Sequence, residues 1–215
     1  MKKLFGIAAV FTMLSCHSKE KQLTTQQITE PVQIEQQKGL ETATFAGGCF
    51  WCTEAVFLEL NGVKTVKAGY IGGKTINPTY REVSTGETGH AEAIQIEFDP
   101  KKITYGELME VFFATHDPTT LNQQGADVGT QYRSEIFYHN NEQKKLAEAY
   151  IALLDKENTY GKKVVTVVSP APKFYEAEDY HQDYYSQNKE QAYCTYVITP
   201  KVDKVRKQFK DKLKK

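Results

Sequence analysis

The sequence predicts a compact α/β or α+β fold, a two-layer sandwich in which helices cover a mixed β-sheet. One observation is that strand-like and helix-like segments alternate along the chain. The other is an ordinary globular composition: 215 residues with 27 basic and 27 acidic side chains, 40% hydrophobic and 12% aromatic. This composition excludes a mainly disordered chain and gives no indication of a nucleic-acid partner. A domain of this size forms a core without disulfides, so the four cysteines need another explanation.

The first 40 residues are expected to lie outside the folded domain. Residues 1–15 contain two lysines followed by an apolar run about half as long as a bilayer span, which is typical of an export signal. The end of this run resembles a bacterial lipoprotein cleavage box, in which Cys16 becomes the lipidated first residue. A plain secretory signal with an incidental Cys16 is the alternative.

Residues 16–40 are predicted to form a flexible tether, because 17–40 hold six glutamines and no aromatic residue. Residues 41–215 then form the single folded domain. We therefore expect an exported bacterial lipoprotein that is anchored to a membrane of the cell envelope and faces the periplasm or the cell surface.

Short runs rich in β-branched and aromatic residues predict the strands of the sheet. The clearest run is 91–98, which alternates apolar and polar residues and stops at Asp99-Pro100. The other predicted strands are 42–46, 63–71, 135–138 and a buried strand at 164–168.

Apolar residues at helical spacing predict the helices. One helix is expected at 49–60, another begins with a capping box formed by Thr104 and Glu107, and a third spans 142–154. A basic segment after Pro200 predicts a short helix docked by one face. The apolar residues on that face are Val202, Val205, Phe209 and Leu213.

Cys49 is the strongest candidate for a reactive residue. It follows Gly47-Gly48, which permit a sharp turn, so it is expected in the first turn of a helix, where unpaired amides and the helix dipole favour an anion. Such a thiol ionises readily and acts as a nucleophile. Cys52 lies one helical turn further on, close enough to form a disulfide with Cys49.

The number of cysteines also points to redox chemistry. If Cys16 is lipidated, the remaining cysteines are Cys49, Cys52 and Cys194, and an odd number in an oxidising compartment indicates at least one reactive thiol. A metal site is the alternative, but there is only one C-x-x-C pair and no histidine at ligand spacing beside Cys194. Thiols that are simply buried in the core are another alternative.

Glu92 is the candidate for a proton donor. Strand alternation places it on the same face as Ile94 and Ile96, where desolvation would raise its pKa and let it give up a proton near neutral pH. The alternative is a glutamate at the strand end that turns into solvent or pairs with a buried base.

A long polar segment, 116–134, is predicted to be a functional loop, because loops of this length are uncommon within compact domains. It carries Asp127 and Tyr132. Together with Tyr80, the tyrosine of this loop offers hydroxyls that can hold a polar oxygen without taking a charge. Taken alone, each tyrosine is instead expected to be a rim or core residue.

Five ordered segments between about 42 and 196 resemble peptide methionine sulfoxide reductases of the A type. They are GCFWC at Cys49, NPTYREV at Tyr80, TGHAEAIQIEFDP at Glu92, FFATHDPTTLNQQGADVGTQYRS around Asp127 and Tyr132, and AEDYHQDYY at His181. The resemblance implies a ferredoxin-like core. It also implies reduction of the S epimer of methionine sulfoxide, free or in proteins, without a metal or an organic cofactor.

The resemblance implies roles for the candidate residues. Cys49 would attack the sulfoxide sulfur as a thiolate while Glu92 protonates the oxygen, leaving methionine and a cysteine sulfenic acid. Tyr80 and Tyr132 would hydrogen-bond the oxygen, and Asp127 would orient the polar network.

Phe50 and Trp51 would form the apolar wall that receives the S-methyl group. A second thiol must then condense with the sulfenic acid. Cys52 is favoured because it is nearest, and Cys194 is the alternative resolver or a relay, although its flanks lack the glycines of a mobile tail. A thioredoxin-like protein would reduce the final disulfide, and the enzyme is expected to be a monomer.

Two other functions remain open from the sequence. A general thiol–disulfide oxidoreductase would use the C-x-x-C pair alone, without Glu92 or the tyrosines. A lipoprotein that only binds oxidised peptides would need no reactive thiol.

Overall fold

The computed structural model describes residues 39–215. The predicted signal segment, Cys16 and nearly all of the predicted tether lie outside the described residues. Within the described part, none of the helices combines the length and the apolar character that a membrane crossing requires.

Within residues 39–215 the sheet has six strands in the order β7-β6-β1-β3-β2-β8, and a separate two-stranded hairpin is formed by β4 and β5. The strands are β1 (Glu41–Gly47), β2 (Val63–Ile71), β3 (Ala91–Phe98), β4 (Gln123–Gln124), β5 (Asp127–Val128), β6 (Ser134–Tyr138), β7 (Val167–Pro170) and β8 (Tyr175–Glu176). All neighbouring pairs are antiparallel except β6 and β7, which are parallel. The predicted mixed sheet is therefore confirmed.

Six α-helices of the described residues accompany the sheet. They are α1 (Phe50–Leu58), α2 (Tyr80–Ser84), α3 (Tyr105–Thr115), α4 (Asn141–Lys156), α5 (Tyr184–Gln187) and α6 (Thr199–Gln208). Every buried apolar side chain of these described helices belongs to one core cluster, so the helices and the sheet form two layers. A smaller cluster lies apart from it, built on strand residues such as Ile71 and Phe137.

The predicted capping box is present at the start of α3. Thr104 Oγ1 accepts the Glu107 amide at 3.2 Å, and Glu107 Oε2 accepts the Thr104 amide at 2.8 Å. The basic α6 also docks as predicted, because Val202 and Val205 are fully buried in the core.

The predicted buried strand at 164–168 is wrong. The strand β7 begins only at Val167, lies at the edge of the sheet and is partly exposed. The amides before it have partners outside any sheet, since Val164 donates to Asp155 Oδ1 and Val165 donates to the Pro118 carbonyl, both at 2.8 Å. Residues 164–166 therefore form an irregular segment, and the strand begins only with Val167.

The polar segment 116–134 is a structured loop. Besides the small hairpin it contains a single 3₁₀ turn, Thr130–Tyr132. Arg133, which follows this turn, donates to the carbonyls of Thr130 and Gly89, at 3.1 and 3.2 Å. The loop is thereby tied to the segment that leads into β3.

A glycine is required where β1 turns into α1. Gly48 has φ +91°, and a Cβ built on it would lie 2.5 Å from Cγ and 2.6 Å from Cβ of Gln124. The turn thus packs directly on β4, and it places the next residue, Cys49, at the beginning of α1.

We expect Gly48→Ala to lower the free energy of unfolding by about 2 kcal/mol, because alanine would hold a strained φ and press against Gln124. Chemical denaturation followed by circular dichroism measures the loss. Gly125→Ala is the matched control, since Gly125 also has a positive φ, +61°, but has nothing within 4 Å of its Cβ position. Equal losses in the two variants would contradict a role of close packing at Gly48.

Candidate active site

Cys49 occupies the N-cap of α1 and is buried. Its backbone is not helical (φ −55°, ψ 123°), and its carbonyl accepts the Cys52 amide at 3.1 Å. Helix α1 therefore begins one residue later than predicted and ends at Leu58. The side chain of Cys52 is also buried, and its thiol lies beside that of Cys49, close enough to shift the pKa of Cys49.

The Cys49 thiol does not ionise readily in the free protein, in contrast to the expectation from helix position. Burial is the main cause that raises the pKa of Cys49 well above its ordinary value, and the hydrogen bond with Cys52 and the charge of Glu92 raise it further. The helix amide nearest to the thiol, that of Phe50, donates to Glu92 instead. The positive end of the α1 dipole therefore interacts with the carboxyl group of Glu92 rather than with the Cys49 sulfur.

Glu92 lies on the core face of β3 and is only 1% exposed. Its Oε2 accepts the Phe50 amide at 3.1 Å, so it does not turn into solvent. Burial raises the pKa of Glu92 to about 8, although the hydrogen bond from Phe50 acts in the opposite direction. The group is accordingly a carboxylic acid at neutral pH.

Tyr80 and Tyr132 both lie near this acid and this thiol. Tyr80 begins α2, and Tyr132 ends the 3₁₀ turn of the polar loop. Burial raises the pKa of each phenol, and the charges of Glu92 and Cys49 raise it further in both cases. Both hydroxyls therefore remain protonated and are able to donate a hydrogen bond.

Asp127, in β5, is connected to Cys52 through a residue that the sequence did not single out. Tyr193 donates its hydroxyl proton to Asp127 Oδ2 at 2.8 Å, and the same hydroxyl lies 3.7 Å from Cys52 Sγ. The charge of Asp127 also raises the pKa of Glu92. The loop residue is thus part of the polar network around both groups.

The two predicted wall residues have different surroundings. Phe50 is almost fully buried, whereas Trp51 is partly exposed and stacks on Tyr184 with ring centroids 3.9 Å apart. The indole N–H donates to His181 Nδ1 at 3.1 Å. A neutral imidazole then carries its proton on Nε2, which is buried and has no partner among the described residues.

Two glutamate side chains fix the backbone beside Tyr184 and Tyr80, whose rings stack on Trp51. Glu54, buried on α1, accepts the Asp183 amide at 2.9 Å and so fixes the backbone just before Tyr184. Burial raises the pKa of Glu54 to about 7. Glu178 accepts the Tyr80 amide at 2.9 Å, at the start of α2.

Sequence analysis did not assign site roles to Tyr193, His181, Glu54 or Glu178. The segment AEDYHQDYY contains two of them, because it spans residues 177–185. The wealth of tyrosines and acidic residues in that short segment was the available signal, and its contacts with Trp51 and Tyr80 are what give it meaning.

Cys194 lies near Cys52 inside the protein. It is fully buried in a single π-helical turn, Cys194–Ile198, and its carbonyl accepts the Thr199 hydroxyl at 3.0 Å. Burial raises the pKa of Cys194, and the charge of Cys52 adds to this effect. The three cysteines of the described residues are all free thiols. Over the same residues, no three His, Cys, Asp or Glu side chains are grouped to hold a metal ion.

These groups can perform one kind of chemistry together. A thiol, a neutral carboxylic acid and two phenols converge at the start of α1, beside an aromatic wall. Such a site can attack an electrophilic atom while an attached oxygen receives a proton. A second thiol in contact with the first can then take over the oxidised sulfur.

Comparison with known proteins gives concordant results. Residues 41–213 match the family model described as peptide methionine sulfoxide reductase. The peptide methionine sulfoxide reductase MsrA of Sulfolobus acidocaldarius is 61% identical over 173 residues, which is 80% of this chain and 97% of that protein.

Two solved structures of Mxr1 from Saccharomyces cerevisiae are also similar. The reduced form has a TM-score of 0.67 and 39% identity, covering 73% of this chain and 90% of that one. The complex with Trx2 has a TM-score of 0.50 and 31% identity, covering 72% and 92%. The chain therefore belongs to the peptide methionine sulfoxide reductase family, as a member of the A type.

Proposed function

We propose that Cys49 and Glu92 are the nucleophile and the acid of this methionine sulfoxide reductase. The enzyme is an oxidoreductase that reduces methionine-S-sulfoxide, free or in proteins, to methionine. The observation that carries the assignment is the buried carboxyl group of Glu92, which is held by the amide next to Cys49 at 3.1 Å. A general thiol–disulfide oxidoreductase has no use for such an acid and is not favoured.

Attack on the sulfoxide sulfur drives negative charge onto its oxygen. Glu92 is still protonated at neutral pH and donates its proton to that oxygen, so no free oxide has to leave. Cys49 attacks as the thiolate after it has given its proton to solvent, and Glu92 takes a proton back from solvent once methionine has left. Methionine departs, and Cys49 becomes a sulfenic acid.

The remaining residues bind and orient the substrate. Tyr80 and Tyr132 donate hydrogen bonds to the sulfoxide oxygen, a role supported by the raised pKa of both phenols. Phe50 and Trp51 receive the S-methyl group. Because the oxygen and the methyl group are held on different sides of the sulfur, only one epimer presents its sulfur to Cys49.

Cys52 is the first resolving thiol in this proposal, and Cys194 acts after it. The contact between the thiols of Cys49 and Cys52 supports this order, and so does the position of Cys194 near Cys52 inside a regular turn. A thioredoxin-like protein then reduces the disulfide. The complex of the similar Mxr1 with Trx2 supports such a partner.

The proposed cellular setting follows from the N-terminal sequence. Residues 1–15 direct export, Cys16 carries a lipid, and residues 16–40 tether the domain to a membrane of the cell envelope. The enzyme acts there as a monomer on proteins that become oxidised outside the cytoplasm.

The epimers of a blocked methionine sulfoxide test the activity directly. With dithiothreitol as reductant, we expect the S form to be reduced at least about 100-fold faster than the R form, because only one epimer fits the wall and the acid. Cys49→Ser should lose the activity, whereas Cys194→Ser should keep it with this small reductant. Equal rates for the two epimers would contradict the proposal.

Glu92→Gln should slow methionine formation in a single turnover by about 10² to 10⁴-fold. Burial keeps Glu92 protonated up to about pH 8, so its acid form is present below that pH and is lost above it. The parent enzyme should therefore show a bell-shaped pH profile that belongs to the coupled acid and thiol, and the variant should keep only the rising limb.

Glu97→Gln is the matched control, because Glu97 lies on the same strand but faces the Thr65 hydroxyl on the outside. It should leave both the rate and the profile unchanged. An unaltered single-turnover rate in Glu92→Gln would remove Glu92 from the acid role.

The lipid anchor is tested with the full chain in a bacterial host that exports it. The parent should incorporate a labelled fatty acid and sediment with membranes, and Cys16→Ser should do neither. Cys194→Ser should behave as the parent does. Labelling of the Cys16→Ser protein would contradict the anchor.

A further inference from the structure

Tyr193 stands between Cys52 and Asp127. Its hydroxyl oxygen lies 3.7 Å from Cys52 Sγ, and its hydroxyl proton is donated to Asp127 Oδ2 at 2.8 Å. A phenol carries one proton, and here it is directed to the carboxylate. The oxygen is therefore left to accept a hydrogen bond from the Cys52 thiol. The three groups form a directed chain from thiol to phenol to carboxylate.

We propose that Tyr193 and Asp127 are a proton relay that removes the thiol proton of Cys52 when Cys52 attacks the oxidised Cys49. The inference rests on the proposed function, since Cys49 must first become a sulfenic acid.

With this relay, every proton and electron of the resolving step is accounted for. The Cys52 sulfur attacks Cys49 Sγ, so that an S–S bond forms and the S–O bond of the sulfenic acid breaks. The Cys52 proton passes to the Tyr193 oxygen while Tyr193 passes its own proton to Asp127. The departing hydroxide takes a proton from Glu92 and leaves as water. The Cys49 sulfur is reduced and the Cys52 sulfur is oxidised, and no further redox partner is required.

A built-in acceptor is needed because Cys52 is only 2% exposed, so bulk water does not reach its proton. Six titratable or charged groups of the described residues surround it: Cys49, Glu92, Asp127, Tyr193, Cys194 and Lys201. Tyr193 and Asp127 alone among them form a hydrogen-bonded route that leads away from Cys49.

In the reduced protein, the electrostatics around Cys52 already ease the loss of its proton. The hydrogen bond from Cys49 is the main cause that lowers the pKa of Cys52 to about 7, and the positive charge of Lys201 lowers it further against the effect of burial. Burial raises the pKa of Tyr193. The phenol therefore passes a proton on rather than holding a charge itself.

The ring of Tyr193 has a separate structural role. It meets the ring of Trp51 edge-on, with centroids 6.0 Å apart. Tyr193→Phe keeps this contact and removes only the oxygen of the relay. The substitution therefore separates proton transfer from packing.

The test compares Tyr193→Phe with its parent, both carrying Cys194→Ser so that only Cys52 can resolve. Reduced protein is mixed with one equivalent of free methionine-S-sulfoxide. Quenching, alkylation and mass spectrometry then give two rates, methionine release and formation of the Cys49–Cys52 disulfide. We expect disulfide formation to slow by at least about tenfold more than methionine release does.

Two further readouts distinguish the relay from a structural effect. The Cys49 sulfenic acid should accumulate in Tyr193→Phe and be trapped by dimedone. Its disulfide formation should also accelerate by about tenfold per pH unit below the pKa of Cys52, because the thiolate must then form without the relay. The parent should show a much weaker dependence.

Tyr185→Phe is the control for loss of a phenol, since the Tyr185 hydroxyl bonds the Thr199 hydroxyl at 3.0 Å and has no hydrogen bond with a thiol of the described residues. It should leave both rates as they are. Disulfide formation at the parental rate in Tyr193→Phe, or equal slowing of both steps, would overturn the relay. Absence of methionine release in the parent would remove the proposed function itself, whereas release without oxidation of Cys52 would remove the relay alone.

Discussion

The hydrogen bond from the Phe50 amide to Glu92 is the interaction on which the site depends. It joins the first residue of α1 to β3, and so it fixes the acid beside Cys49. Such a bond contributes about 1 kcal/mol net, whereas burying a carboxylate costs considerably more. Burial therefore prevails, and Glu92 stays protonated. Burial likewise keeps Cys49 protonated, so the thiol and the carboxyl group that are proposed to react are both neutral in the free protein.

The parts of the structure that local pattern determines could be predicted from the sequence. Strand alternation placed Glu92 on the core face, and the spacing of Thr104 and Glu107 located the start of α3. The strand at 164–168 failed for a physical reason. An apolar run indicates burial but does not show which partners its amides find, and here those of Val164 and Val165 find Asp155 and Pro118.

The sequence identified the main side chains of the candidate site, but it did not show which of them are hydrogen-bonded to one another. Cys52 and Tyr193 are 141 residues apart, and no local pattern links them. The expectation that the Cys49 thiol ionises readily was wrong, because it considered the dipole of α1 but not the carboxyl group of Glu92, which competes with the thiol for the same helix terminus. Once Glu92 accepts the Phe50 amide, the helix terminus no longer favours a thiolate at Cys49. Such competition between partners becomes visible only in three dimensions.

The position of Trp51 gives the protein an internal optical reporter. The chain contains a single tryptophan and thirteen tyrosines, and that tryptophan stacks on Tyr184 and bonds His181 within the aromatic wall. Indole fluorescence from this protein therefore originates at the candidate active site alone, and excitation energy absorbed by the tyrosines is transferred towards it. Occupancy of the wall and the redox state of the adjoining sulfurs can thus be followed in real time without an attached dye.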